Sequence, residues 1–278
     1  MRAISTVLDV TVCLLLLSAA VFVLALPVTE PSPERGADET AAVLSTTTVD
    51  LVYPLSAERF RGETGFEIGG EAARERQRHG TLAGLAGRAA LASVVVDGEQ
   101  VAPESAAFRE EVAAELAAVT PARTFVTVHW EPYQEAAVSG RVEAGSEPPA
   151  GADVQAATRR VPLPALAVEP DGATFQEVAT AVARSLVTAL VPETAGARPM
   201  DDPLLVASTI HRYEALAGDL DARAAYLGGD VQLLVRAATT GLADSVAADL
   251  RERFESPSVA AAAVTAGYAW LTVERWES

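Results

Sequence analysis

The feature that most constrains this chain is the stretch Ile4-Ser-Thr-Val-Leu-Asp-Val-Thr-Val-Cys-Leu-Leu-Leu-Leu-Ser-Ala-Ala-Val-Phe-Val-Leu-Ala-Leu26, 23 residues in which Asp9 is the only charge. A helix of that length spans a hydrocarbon core roughly 30 Å thick. The sequence therefore predicts a transmembrane helix over 4–26. Arg2 precedes it, whereas Glu30, Glu34, Asp38 and Glu39 follow it against Arg35 alone. That asymmetry predicts a single-pass protein of the cell membrane, with residues 1–3 as a short cytoplasmic leader and the C-terminal body outside. A cleaved secretory signal has an apolar region of about 7–15 residues ending in a small-residue site. The charge-free run from Val10 to Leu26 is 17 residues and lacks such an ending, which favours a retained signal anchor.

Composition limits what the body can do. Acidic residues number 38 against 21 basic ones, all of them arginine, for a net charge of −17. A lysine-free, carboxylate-dense chain of this kind resembles the proteins of extreme halophiles. Its field repels phosphate, so nucleic acid is not an expected partner. A single cysteine, Cys13, rules out internal disulfides, and the outward-facing body must be held by its core.

Residues 27–42, with Pro27, Pro31, Pro33, Gly36 and four acids, read as an acidic tether. Residues 43–278 read as an extracytoplasmic α+β domain, a small antiparallel sheet packed by several helices. Whether it divides into a β-containing part, 43–165, and a mainly helical part, 166–278, is left open. Val43–Leu55 suits a strand or extended lead-in. From Glu71 the pattern turns helical, with Arg74, Arg76 and Arg78 among acids and Leu82, Leu85, Ala89 and Ala92 on an apolar face. Gly80, Gly84 and Gly87 within that run are read as close helix packing or a break near Gly80, not as a phosphate loop. Asp97-Gly98 between β-branched arms predicts a tight hairpin. Phe108, Val112, Leu116 and Val119 predict a helix that ends before Pro121.

The clearest strand is Thr124–Glu131, with Val126, Val128 and Trp130 on one face and Thr127, His129 and Glu131 on the other. Two further strands, 138–144 and 153–161, are expected to follow it as an antiparallel meander. Thr174-Phe-Gln-Glu177 is a capping box, Asp202-Pro203 a helix start, and Asp230 to about Glu255 a long helix. The end of the chain, Tyr268–Trp276, reads as a strand that shares the sheet with 125–131, as its neighbour.

The yield for catalysis is negative. There is no lysine for a P-loop or a Schiff base, and no G-x-S-x-G, H-E-x-x-H or C-x-x-C. His79, His129 and His211 would make a base or metal site only if the fold united them. No enzyme, metal or cofactor is expected. The candidate binding face is His129, Trp130, Trp270 and Trp276, where aromatic rings and an imidazole sit in strand-like sequence.

A family resemblance rests on the N-terminus. Arg2-Ala3-Ile4-Ser5, directly before the apolar run, resembles the processing site of archaeal type IV pilin-like proteins, and the whole chain resembles uncharacterised haloarchaeal membrane proteins that accompany type II/IV secretion-like systems. The resemblance implies cleavage after Ala3 and neutralisation of the new Ile4 amine by Asp9 of a neighbouring subunit. It implies as partners the lipid bilayer through 4–26 and pilin-like subunits or secretion-system membrane proteins. The expected function is a non-catalytic pseudopilin-like structural or interaction subunit. The alternative is a membrane-anchored extracytoplasmic binding module for a solute or envelope component, which a pocket lined by His129 and the tryptophans would favour.

Overall fold

A computed structural model describes residues 33–55, 74–96, 98–168, 170, 174–191, 203–217 and 221–277. The first element is a helix, α1 (Pro33–Thr46), followed by the strands β1 (Thr48–Leu55) and β2 (Arg74–Thr81) and the helix α2 (Leu82–Ala92). A small hairpin, β3 (Val95–Val96) and β4 (Glu99–Gln100), turns at Gly98, whose φ of 86° suits a residue without a Cβ. After a 3-10 turn at Pro103–Ser105 comes α3 (Ala106–Val119).

The main sheet is built from β5 (Thr124–Trp130), β6 (Gly140–Gly145), β7 (Val154–Pro162) and β8 (Tyr268–Trp276), in the order β6-β5-β8-β7, with every pairing antiparallel. Between β7 and β8 the chain forms α4 (Phe175–Leu190), α5 (Pro203–Ala217), α6 (Ala222–Gly228), α7 (Val231–Arg253) and α8 (Pro257–Ala263). Thr81, Thr174, Asp221, Asp230 and Ser256 each cap the helix that follows by accepting a backbone N–H. Such a cap is worth about 1 kcal/mol.

One face of the sheet is covered. Helix α1 lies on β7 and β8, α2 lies chiefly on β5 and β6, and α3 packs on α2, β6 and β1. Val126, Val128, Trp130, Leu271 and Val273 point into this layer with no exposure. The helices come close where side chains are absent: a Cβ on Gly140 of β6 would stand 1.9 Å from the carbonyl oxygen of Ala90 in α2. Helices α4 and α5 both pack on α7. Their apolar stripes, Val178, Val182 and Leu186 against Leu242, Val246 and Leu250, belong to the same core as the sheet.

Four expectations need correction. The fold was expected to carry a transmembrane helix, but among the described residues no helix is long and apolar enough to cross a membrane. The longest, α7, is amphipathic: it carries Arg236, Asp244, Asp249, Arg251, Glu252 and Arg253. The stretch 4–26, on which the membrane and signal-anchor reading rested, lies outside the described residues. What the structure describes is a mixed α/β fold with small antiparallel sheets.

The second correction concerns the tether. Residues 33–42 lie in α1, where Ala37, Ala41 and Leu44 are fully buried and Asp38 pairs with Arg159 at 2.8 Å. The helical spacing of those three small apolar residues outweighs the proline and acid content by which the segment was judged.

The third is that Arg74–Thr81 is a strand, not the start of a helix. It pairs with β1 in full register, and the helix begins only after the Thr81 cap. Alternation in Arg-Glu-Arg-Gln-Arg-His has period 2, a strand signal hidden by its unusual arginines. Gly87 does serve close packing, since its missing Cβ would touch Leu163 and Val161 at 3.3 Å.

The fourth is the meander. β6 does follow β5 as its partner, but β7 crosses to the far edge and leaves a slot that β8 fills. The terminal strand is thus the neighbour of β5, as its texture suggested.

Candidate functional site

Among the described residues, no helix lies across the centre of the other face of the four-stranded sheet. Register places four side chains of that face in one row across the strands: Arg141 of β6, His129 of β5, Trp270 of β8 and Arg160 of β7. The next row is Glu143, Thr127, Thr272 and Thr158, where the hydroxyls of Thr158 and Thr272 stand 3.1 Å apart. The Arg160 guanidinium stacks 5.0 Å from the Trp270 ring and 5.8 Å from that of Tyr268. Arg141 pairs with Glu143.

At the Trp130 end of β5 this face runs into a wall. Phe254 at the end of α7, Ala263 of α8 and Thr265 rise beside it, and with His129, Trp270 and Glu274 they enclose a groove of about 770 Å³. Its polar lining includes Glu131, Gln134 and Thr272. The groove is therefore an aromatic and imidazole floor edged by hydroxyls, carboxylates and an amide. Such a surface suits stacking combined with hydrogen bonding.

A polar cluster ties the α7 side of the wall to the loop that follows β5. The Tyr133 hydroxyl donates to Asp249 Oδ2 at 2.9 Å, the Ala137 N–H donates to the same oxygen at 3.2 Å, and Arg253 Nε donates to Oδ1 at 2.7 Å. Burial alone would push the Asp249 pKa up. The bonds from Arg253, Tyr133 and Ala137, with the Arg253 charge, outweigh it and hold the carboxyl below its ordinary value of 3.8. Burial, then the bond to Asp249, pushes the Tyr133 phenol far above its usual range.

The expected residues divide. His129 and Trp270 are brought together as cross-strand partners on the open face. Trp130 points the other way: it is fully buried, and its indole N–H donates to the Ala266 carbonyl at 2.8 Å. Trp276 has the parity of Trp270 but sits at the opposite end of β8, beside Val154, and does not line the groove. A sheet separates neighbours in sequence by face, which removes Trp130, and strand rise separates by length, which removes Trp276. Arg2, Ala3, Ile4 and Asp9 lie outside the described residues.

The three histidines are not united. His79 meets Asp50 on the outer side of the β1–β2 ribbon at 3.0 Å, and His211 Nε2 lies 3.2 Å from the Gln100 carbonyl oxygen. Among the described residues no group of three His, Cys, Asp or Glu side chains is placed to hold a metal. Arg141 and Arg160 were missed by the sequence reading. Period-2 alternation in β6 and β7 could have put them on the face of His129, had the strand order been known.

A four-stranded antiparallel sheet, covered by helices on one face and bearing an open aromatic groove on the other, defines an α+β protein with a candidate ligand face. By sequence the chain belongs to the family of unknown function DUF7284, whose model matches residues 8–276. No significant match was found among curated proteins or among solved structures.

Proposed function

We propose that the chain is a non-catalytic binding module whose ligand, a polyhydroxylated solute or envelope component, lies on the open face of the sheet. The observation that supports this is the groove in which His129 and Trp270 stand as cross-strand partners, with Thr127, Thr272, Glu131 and Glu274 around them. An indole face stacks on the apolar side of a sugar ring while hydroxyl and carboxylate groups take its hydroxyls. The test is a titration with maltotriose and with chitotriose, followed by tryptophan emission and melting temperature. The expected result is a saturable emission change with one of them that disappears in Trp270→Ala. No response to either sugar, or an identical response in Trp270→Ala, overturns the reading.

A second reading, a pilin-like subunit of a secretion-like or filament assembly, is favoured by α1. Its burial against β7 and β8 couples whatever precedes residue 33 to the body by a packed helix rather than a loose tether. Recovery of the native protein in sedimentable polymers, together with a silent sugar titration, would support this reading over the first.

A further inference from the structure

The molecule has a second large concavity, on a different set of elements from the open sheet face. It is a groove of about 920 Å³ bounded by the β1–β2 ribbon, α2, the start of α3 and the facing parts of α4 and α5. Its charge is the reverse of the chain's. The sequence has 38 acids and 21 arginines, yet Arg76, Arg78, Arg88 and Arg212 all line this groove, and among its described lining residues there is no aspartate or glutamate.

The ribbon explains how the arginines arrive there. Arg76 stands opposite Tyr53 and Arg78 opposite Leu51, and both of those partners are buried. Strand alternation therefore sends Arg76 and Arg78 to the inner side, and Glu75, Gln77 and His79 to the outer side. Arg88 joins them from α2, one helical turn after Gly84 and Leu85, which also line the groove.

Two of the four arginines are committed. Arg212 is held by Glu104 and by the Leu190 carbonyl, and Arg78 donates to the Tyr53 hydroxyl at 3.0 Å with its guanidinium 5.5 Å from the Phe108 ring centroid. Arg76 and Arg88 are different: among the described residues neither has a carboxylate within ion-pair distance. Two arginines without a carboxylate partner among the described residues stand out in a chain with a surplus of carboxylates, and the groove's lining also carries the apolar groups Leu85, Leu91, Phe108, Leu163 and Leu166.

We propose that this groove binds a small organic anion, a phosphate monoester or a carboxylate carried on an apolar body, with Arg76 and Arg88 as its seats. Guanidinium forks take either oxyanion through paired N–H bonds, and the leucine and phenylalanine lining takes the body. A long polyanion is disfavoured, because beyond the groove it meets the acidic remainder of the surface. The site shares none of its residues with the sheet-face groove, so its failure and the failure of the proposed function are distinguishable.

The experiment uses the full chain and calorimetric titration with phenyl phosphate, benzoate, inorganic phosphate and the neutral analogue benzyl alcohol. One or both of the organic anions should bind with 1:1 stoichiometry, at least about tenfold more tightly than benzyl alcohol and more tightly than inorganic phosphate. Which organic anion binds identifies the headgroup. Arg76→Ala and Arg88→Ala should each weaken binding about tenfold without moving the melting temperature. Arg251→Ala, near Gln176 at the other end of α4, should leave binding unchanged. Benzyl alcohol binding as well as the anions, no binding by either organic anion, or wild-type affinity in both Arg76→Ala and Arg88→Ala overturns the proposal. Equal affinity for phenyl phosphate and inorganic phosphate overturns the apolar lining's part in it.

Discussion

The two faces of the β5–β8 sheet are made by the same strands, residue by alternate residue, and they have opposite chemistry. On the covered face Val126, Val128, Trp130, Leu271 and Val273 are completely removed from water under α1, α2 and α3. On the open face Thr127, His129, Trp270 and Thr272 line a groove that is only partly walled. The stabilising work falls on the first set. The second set is free to carry polar groups because little of the fold depends on its burial. Aromatic character does not tell the faces apart, since Trp130 and Trp270 are both indoles in strands and only one anchors the core.

The largest expected difference between the faces comes from a buried charge. Val128→Asp places a carboxylate among side chains with no exposure and should cost more than about 4 kcal/mol, enough to abolish soluble expression. Thr127→Asp, one residue away on the open face, should change stability by about 1 kcal/mol or less. Soluble yield and denaturant midpoints of the two variants read the contrast. Equal damage would mean that the open face is covered in the working protein, by ligand or by partner.

The tryptophans sharpen the contrast at smaller scale. Trp130→Ala should destabilise by about 3–5 kcal/mol, through the cavity and the lost bond to the Ala266 carbonyl. Trp270→Ala, whose ring is stacked by Arg160 but not enclosed, should cost about 1 kcal/mol. The comparison breaks if the two costs agree within error.

The smallest effect concerns the wall that borders the open face. The Asp249 pKa is depressed in the folded protein, so its contribution is present at pH above its ordinary value of 3.8 and is lost as pH falls through the lower folded value. Asp249→Asn should therefore cost about 1–2 kcal/mol near pH 7, and that cost should shrink as the medium is acidified below the ordinary value of 3.8 and through the lower folded one. Denaturant melts of both proteins across that range measure it. A cost independent of pH would show that the carboxylate charge is not what holds Tyr133 and the Ala137 backbone.

Much of the local structure was legible because its causes are local. The capping box at Thr174, the helix starts at Pro203 and Asp230 and the alternation of β5 each depend on residues within a few positions of one another. The readings that failed were those in which a composition stood in for a contact. Prolines and acids in 33–42 suggested a tether, and only the sheet face that receives Ala37, Ala41 and Leu44 makes that segment a helix. Arginines in 74–78 suggested a charged helix, and only the pairing with β1 makes Arg76 and Arg78 the inner row of a ribbon.

By itself, then, the sequence determined which face of β5 is apolar, where α4, α5 and α7 start, the strand character of 268–276, and a net charge of −17. Tertiary structure alone decided that β8 enters between β5 and β7, which sets His129 opposite Trp270 and leaves Trp276 at the far end. It also decided that Arg76 and Arg88, 12 residues apart and on a strand and a helix, line one groove. The physical reason is the range of the interaction: caps and periodicities act over one or two turns of chain. Strand order and the convergence of side chains are chosen by the packing of the whole core, which no local window of sequence contains.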